Sequence, residues 1–408
     1  MRSGEKTSRL VIVTRPSPLA AAVLAVLVLM IFAAGCGAPD EQTPAEPGGQ
    51  QGQGPNTTGL PLELPAGYSI SVFASDLGGP RVMAFDSAGN LLVSIPSRGT
   101  VMALPDRDGD GTADNPVTVV SGLDFPHGLA FLCDGGSCRL YVAETSGVRV
   151  FDYDAATFSA SERGKILDLP AGGGHSTRTI IIADTPAGKK LLISIGSSCN
   201  ACIEDDPRRA SIQAAELDGG NLATYASGLR NSVFMAFHPV TGELWATEMG
   251  RDNLGDDIPP DEINIIEEGH DYGWPYCYGN NVTDTVFGAT AADTVGKIPS
   301  YIDIQAHSAP LGLAFVTAES WPQEYRGDLL VAFHGSWNRS VPTGYKVVRF
   351  RLDEGGAYQG QEDFITGWLT ADGDVLGRPA GLLMDDAGTL YISDDSRGVI
   401  YSAVPPLD

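Results

Sequence analysis

Apolar positions in this chain come in short runs. From about residue 68 onward, stretches rich in Val, Ile, Leu, Phe and Tyr alternate with clusters of Gly, Asp and Asn, the signature of strands joined by tight turns. One phrase recurs along the chain. It reads PRVMAF at 80–85, PHGLAF at 126–131, NSVFMAF at 231–237, APLGLAF at 309–315 and RPAGLLM at 378–384, with a divergent copy, HSTRTII, at 175–181. Most copies continue through a turn into a second apolar run, as at 86–93, 238–245 and 385–391. Self-similarity of this kind means stacked supersecondary units, each a β-meander. Six units over the folded part average roughly 58 residues each, which predicts an all-β, six-bladed β-propeller with long loops. A sandwich would space its strands more uniformly. Residues 208–217 have helical propensity, but the repeat assigns them to a strand.

Composition adds two constraints. The 50 Gly and 27 Pro leave little room for long helices. A net charge of -25 gives a surface that repels phosphate, so nucleic acid is excluded as a partner. The first residues read separately from the fold. Arg2, Lys6, Arg9 and Arg15 precede an uncharged stretch at 19–34 that ends Ala33-Ala34-Gly35-Cys36. Residues 1–35 are a signal peptide, too short in their apolar part to span a bilayer. The segment resembles a bacterial lipobox, which implies lipidation at Cys36; ordinary signal cleavage is the alternative. Residues 36–59 hold no large apolar side chain and are expected to form a flexible tether, leaving 60–408 as the propeller. The protein is therefore expected outside the cytoplasm, in the periplasm or at the cell surface, held to a membrane by its lipid alone.

Export permits disulfides. Cys133 and Cys138 flank a turn and are expected to staple a hairpin. Cys199 and Cys202 could be a redox or zinc pair, but no second metal-spaced pair accompanies them, and a loop disulfide is the favoured pairing. Cys277 is then a free, buried thiol.

In a propeller the innermost strands begin at one face around a shared axis. Arg81, His127, His175, Arg230, Asn231, His307 and Arg378 stand at or just before the recurring phrases, so they converge there. Such a ring suits proton transfer and anion binding better than packing.

Around these residues the chain resembles the glucose/sorbosone dehydrogenase family, propellers that oxidise sugars with pyrroloquinoline quinone (PQQ) and calcium. The likeness rests on GGHSTR at 173–178, YASGLRN at 225–231, TEMGR at 247–251, DEIN at 261–264, YGWP at 272–275 and HGSWNR at 334–339, the last resembling the sorbosone branch. It implies that His175 is the general base toward the anomeric hydroxyl, with Arg230 stabilising charge on the quinone. His127, Asn231, His334, Arg339 and Arg378 would bind the cofactor. The carbonyls of Gly250 and Arg251 would hold the catalytic Ca2+, and Glu262 with Tyr272 a structural one. Where the glucose enzymes place acidic residues near the base, this chain has Gly174 and Ser197. The implied partners are a small sugar and an unidentified electron acceptor, a cytochrome or a quinone.

A separate calcium signal lies at Asp106, Asp108, Asp110, Thr112 and Asp114, with Gly111 at the turn and Val117 where a bidentate Glu would close the loop. A plain acidic turn is the alternative. Two other functions fit the same architecture. One is a calcium-dependent lactonase, which would need carboxylates and amides from several blades around a central metal. The other is a non-catalytic propeller that binds sugar or protein.

Overall fold

The recurring phrase marks the innermost strand of each sheet. In the computed structural model, which describes residues 54–406 except 135, 289 and 290, six four-stranded antiparallel sheets follow one another along the chain. The signal peptide, Cys36 and residues 36–53 of the tether lie outside the described residues. Blade 1 comprises Met83–Phe85, Leu91–Ile95, Thr100–Leu104 and Val117–Val120; blade 2 runs through Leu129–Asp134, Ser137–Glu144, Gly147–Asp154 and Ser159–Asp168. Blade 3 is Ile180–Thr185, Gly188–Ile195, Ser211–Glu216 and Ala223–Ser227, and blade 4 is Ser232–Phe237, Leu244–Glu248, Asp261–Ile266 and Ile302–Ile304. Blade 5 holds Pro310–Phe315, Leu329–Phe333, Lys346–Leu352 and Tyr358–Ile365. Blade 6 joins Pro379–Met384, Leu390–Asp394 and Val399–Val404 to an outer strand taken from the other end of the fold, Ser69–Ala74. The ambiguous stretch near residue 210 is the third strand of blade 3, as the repeat requires.

The glycine inside the phrase has a packing reason. Each innermost strand lies against that of the next blade, so side chains at this level collide. A Cβ on Gly128 would stand 2.6 Å from the Arg178 carbonyl oxygen, one on Gly312 2.4 Å from the Leu382 nitrogen, and one on Gly381 2.3 Å from the Arg81 carbonyl oxygen. Between blades the sheets bury apolar faces on each other, with Leu92, Leu140, Trp245, Leu311, Leu329 and Phe350 wholly out of solvent.

Closure comes from pairing the two ends of the fold. Ser69 stands opposite Val404 and Ile70 opposite Ala403. Just before this strand, Tyr68 packs its ring on Trp321 and Phe364 of blade 5, both at 5.2 Å between centroids. The packed chain starts earlier than composition suggests. Asn56 bridges to Ile70, and its side-chain amide donates to the carbonyls of Leu60 and Leu62, each at 2.9 Å. Hydrogen bonds here replace the apolar burial that residues 54–59 lack.

Cys133 is bonded to Cys138 across the hairpin of blade 2, and Cys199 to Cys202 in the loop after the second strand of blade 3. Cys277 is a buried free thiol, pushed up to about 11 by burial. Replacing the closing aromatic, Tyr68→Ala, is expected to cost about 3–5 kcal/mol, read as a lowered urea midpoint with an unchanged slope.

Candidate active site

Two kinds of segment reach the same face of the propeller: those leading into the innermost strands and those leaving the second strands. Between them lies a cleft of about 260 Å³. His175 enters it ahead of blade 3, Arg378 ahead of blade 6, and Gly250 and His334 follow the second strands of blades 4 and 5.

The glycine-rich segment before His175 is fixed by two arginines. Arg178, wholly buried, donates to the carbonyls of Pro170 at 2.7 Å and His175 at 3.0 Å, and Arg209 donates to those of Pro170, Ala171 and Gly172. Gly196 must be glycine, because a Cβ there would meet Asn231 Oδ1 at 2.4 Å and His175 Cβ at 2.7 Å. The imidazole is thereby held in one orientation.

Its tautomer is set as well. His175 Nδ1 lies 3.0 Å from the Ser197 carbonyl oxygen, which only accepts, and 2.9 Å from Ser197 Oγ, whose own proton goes to the Cys199 carbonyl at 2.6 Å. Nδ1 therefore carries the hydrogen, and Nε2 keeps its lone pair with no protein partner among the described residues. Burial, with Arg230 repelling the imidazolium, lowers the His175 pKa to about 4. The ring is neutral at pH 7.

Arg230 is almost fully buried. Its Nε donates to the Asn200 carbonyl at 2.8 Å, Nη1 to that of Met249 at 3.2 Å, and Nη2 to Asn200 Oδ1 at 3.0 Å and Asp252 Oδ2 at 3.3 Å. Of five N–H groups, one on Nη1 remains for the cleft.

Opposite stands a charged relay. His334 Nε2 donates to Asp395 Oδ1 at 2.9 Å, and Arg81 pairs with the other oxygen at 2.5 Å. Burial pushes Asp395 upward, yet His334 and Arg81 outweigh it and hold the carboxylate well below its usual range. Burial also lowers the pKa of His334, so the neutral ring donates from Nε2 and turns Nδ1 toward Arg378 Nη1 at 3.5 Å. Arg378 lies over the Tyr345 ring and donates to its hydroxyl at 3.2 Å. At the rim, Trp337 is 72% exposed.

The remaining predicted residues separate into three groups. Asn231 lies beneath the cleft, its amide directed at the Met249 sulfur. Arg251, Glu262 and Tyr272 line a second, small cavity of about 20 Å³, which shares Arg230, Met249 and Gly250 with the cleft as a common wall. There Glu262 accepts from the Gly279 N–H and the Asn264 amide, and burial pushes it up to about 7.

His127 and Arg339 do not line the cleft. His127 is wholly enclosed, with Nδ1 bonded to the Thr179 hydroxyl at 3.2 Å and its ring against Phe234. Arg339 is drawn to Asp257 at 2.8 Å and to the Asp256 carbonyl. The acidic loop stands apart, between the third and fourth strands of blade 1 and so on the opposite face. Its Asp106, Asp108 and Asp110 carboxylates are grouped, Thr112 donates its N–H to Asp110, and Asp114 is turned to Arg107.

The sequence argument missed Asn200, Asp252, Asp395 and Trp337. All follow second strands, so a comparison of strand ends across blades, as was made for strand starts, would have found them. Among the described residues, each cluster of three metal-type side chains comes from a single loop, and one contains the bonded Cys199–Cys202 pair. Nothing there resembles the multi-blade metal centre of a lactonase.

These features define a six-bladed propeller with a neutral, tautomer-fixed base and an arginine-rich cleft on one face. The chain belongs to the TrAA12-like family, whose model matches residues 62–404. It is 30% identical over 354 residues to an uncharacterized protein of Borreliella burgdorferi, covering 83% of this chain and 90% of that one. It is 25% identical to a pyrroloquinoline quinone-dependent sugar dehydrogenase of Hypocrea jecorina, covering 85% and 91%. Among solved structures, the calcium structure of a Trichoderma reesei family AA12 enzyme superposes with a TM-score of 0.73 at 24% identity, covering 86% of this chain and 98% of that one. The holo PQQ domain of a Coprinopsis cinerea pyranose dehydrogenase gives 0.74 at 22%, covering 86% and 99%, and both support the fold.

The His175 ring is expected to stay neutral down to about pH 4, as read by its imidazole NMR shifts. Because its folded pKa is depressed, its contribution to stability is complete above the unfolded value near 6.5 and is lost as pH falls from there through about 4. A ring that titrates near 6.5 in the folded protein would contradict the burial assigned to it.

Proposed function

We propose that this protein is a PQQ- and calcium-dependent dehydrogenase that oxidises an aldose-type sugar or sorbosone at C1. The observation that carries the proposal is His175: half-buried, neutral, oriented by Ser197 and lining the cleft, with no protein partner on Nε2 among the described residues. The similarity to the Hypocrea jecorina and Coprinopsis cinerea dehydrogenases supports the cofactor and the substrate class.

The residues present fit both groups. PQQ is a flat tricarboxylate, and the cleft offers Arg378 and the spare Nη1–H of Arg230 as donors to anions. Calcium takes hard oxygen ligands, and among the described residues no donor occupies the carbonyls of Gly250 or Arg251. When bound, the quinone supplies the hydride acceptor and the ion polarises it.

The chain's own part is proton handling and placement. His175 Nε2 takes the proton of the anomeric hydroxyl while Ser197 holds Nδ1–H, so the glucose enzymes' acidic neighbour is replaced by two neutral acceptors. The hydrogen bond to the Ser197 carbonyl orients the base and raises its pKa, but burial and Arg230 outweigh that rise. Arg230 presents its free N–H to developing negative charge, and its other four are committed to the protein. Arg378 holds a cofactor carboxylate, and His334, its Nδ1 turned toward Arg378, orients that guanidinium. Trp337 offers an exposed aromatic face for the apolar side of a sugar ring.

Location and acceptor complete the proposal. A signal peptide and lipidated Cys36 would hold the propeller on the outer side of a bacterial membrane, where a cytochrome or quinone could take the electrons. Calcium in the loop at Asp106, Asp108, Asp110, Thr112 and Asp114 would stiffen blade 1, remote from the chemistry.

Titrating the calcium-loaded protein with PQQ is expected to give saturable binding and sugar-dependent dye reduction. His175→Ala should lower kcat by about 10²- to 10⁴-fold with cofactor affinity kept, and Arg378→Ala should weaken PQQ binding. Trp337→Ala should raise KM with kcat little changed. Absence of PQQ binding at micromolar concentrations with calcium present would overturn the proposal.

A further inference from the structure

The loop closed by the Cys199–Cys202 disulfide touches both residues assigned to the chemistry. We infer that Asn200, held in that loop, is the positioning residue that sets Arg230 in the cleft, and that the same loop sets His175 through Ser197. The inference rests on the dehydrogenase proposal for what the two residues then do, but its geometry stands apart from the cofactor.

Asn200 grips the guanidinium at two points, its carbonyl taking Nε–H at 2.8 Å and its Oδ1 taking Nη2–H at 3.0 Å. Two acceptors from one residue fix the plane of the fork as well as its distance. The Asn200 amide is itself fixed from outside the loop. Its Nδ2 donates to the Asp252 carbonyl at 3.1 Å, and the Asp252 N–H donates to Oδ1 at 2.8 Å, so Oδ1 accepts two hydrogen bonds and the amide cannot flip without losing both.

The neighbouring residue serves the base. The Cys199 carbonyl takes the Ser197 hydroxyl proton, which leaves Ser197 Oγ as an acceptor toward His175 Nδ1. Glu204 ties down the same loop, accepting from the Ser198 N–H at 2.6 Å and its hydroxyl at 2.7 Å. Ser197 and Asn200, in one short segment, thus carry the acceptors for two side chains that come from different ends of blade 3. Such a segment works only if it does not move, and the disulfide removes the freedom of the turn that carries it. A displacement of about 1 Å at a reacting group costs on the order of 100-fold in rate.

A merely structural Asn200 would lower stability and leave the site's hydrogen bonds intact, so the test reads the site directly. In the full chain without cofactor, the Arg230 Nη2–H given to Asn200 Oδ1 should be a slowly exchanging NMR signal. It should lose its protection in Asn200→Ala and in the Cys199→Ser/Cys202→Ser double variant. With PQQ and calcium, Asn200→Ala should lower kcat by about 10- to 100-fold while KM for the sugar changes little. In an Arg230→Ala background the same substitution should add almost nothing. Asn200→Asp keeps both acceptors for Arg230 and should retain more activity than Asn200→Ala; it also serves if the alanine variant fails to fold. An Arg230 Nη2–H equally protected without the Asn200 side chain, or rate losses that multiply in the double variant, would overturn the inference. If Arg230→Ala keeps full activity, the dehydrogenase role of Arg230 fails, while the exchange measurement still decides the positioning.

Discussion

The structure depends on one pairing, that of Ser69–Ala74 with Val399–Val404. A propeller of open sheets would expose an edge and a seam; joining the two ends of the fold in one blade turns the row of sheets into a ring. The cleft draws on that ring although the closing strand gives it no side chain. Arg81 of blade 1 pairs with Asp395 of blade 6, 314 residues away, and Asp395 orients His334 of blade 5. The charged wall of the cleft therefore spans the seam, and its geometry is only as fixed as the closure.

Within the ring the chemistry follows from two opposed electrostatic conditions. The chain as a whole is strongly acidic, with a net charge of -25, yet the cleft gathers Arg230, Arg378 and, beside it, Arg81. A histidine half-buried among these cations is held neutral, the state in which a free ring nitrogen can accept a proton. In this branch of the fold Ser197 orients the ring with neutral oxygens. Ser197 gives the ring its direction, and burial with Arg230 outweighs the rise in pKa that its hydrogen bond brings, so the ring stays neutral.

The sequence disclosed what repeats and concealed what does not. The phrase beginning at 126, 309 and 378 carries a Gly where neighbouring innermost strands approach, so packing itself writes part of the signal, and blade count and strand order were legible from the repeat. The residues just ahead of the phrase were legible for the same reason, and His175, Arg230 and Arg378 do meet in the cleft. His127 occupies the equivalent place but turns its ring inward to Thr179 and Phe234, since position along a strand does not decide which side a side chain takes. Arg339 is drawn off by Asp257, a partner 82 residues distant that no local pattern announces. Asn200, Asp252 and Asp395 sit in loops of unlike length after second strands, where there is no shared packing to imprint a motif. That Asn56 belongs to the packed chain was hidden because it holds on by hydrogen bonds instead of apolar burial.

The central claim is that one cleft holds the cofactor between the base and the arginine of blade 6. A crystal structure of the full chain loaded with calcium and PQQ tests it most directly. The quinone is expected in the cleft with its carboxylates on Arg378, His175 Nε2 facing open space for a sugar, and calcium against the Gly250 carbonyl. PQQ bound at another surface, or a cleft filled by reoriented side chains at saturating PQQ, would contradict it.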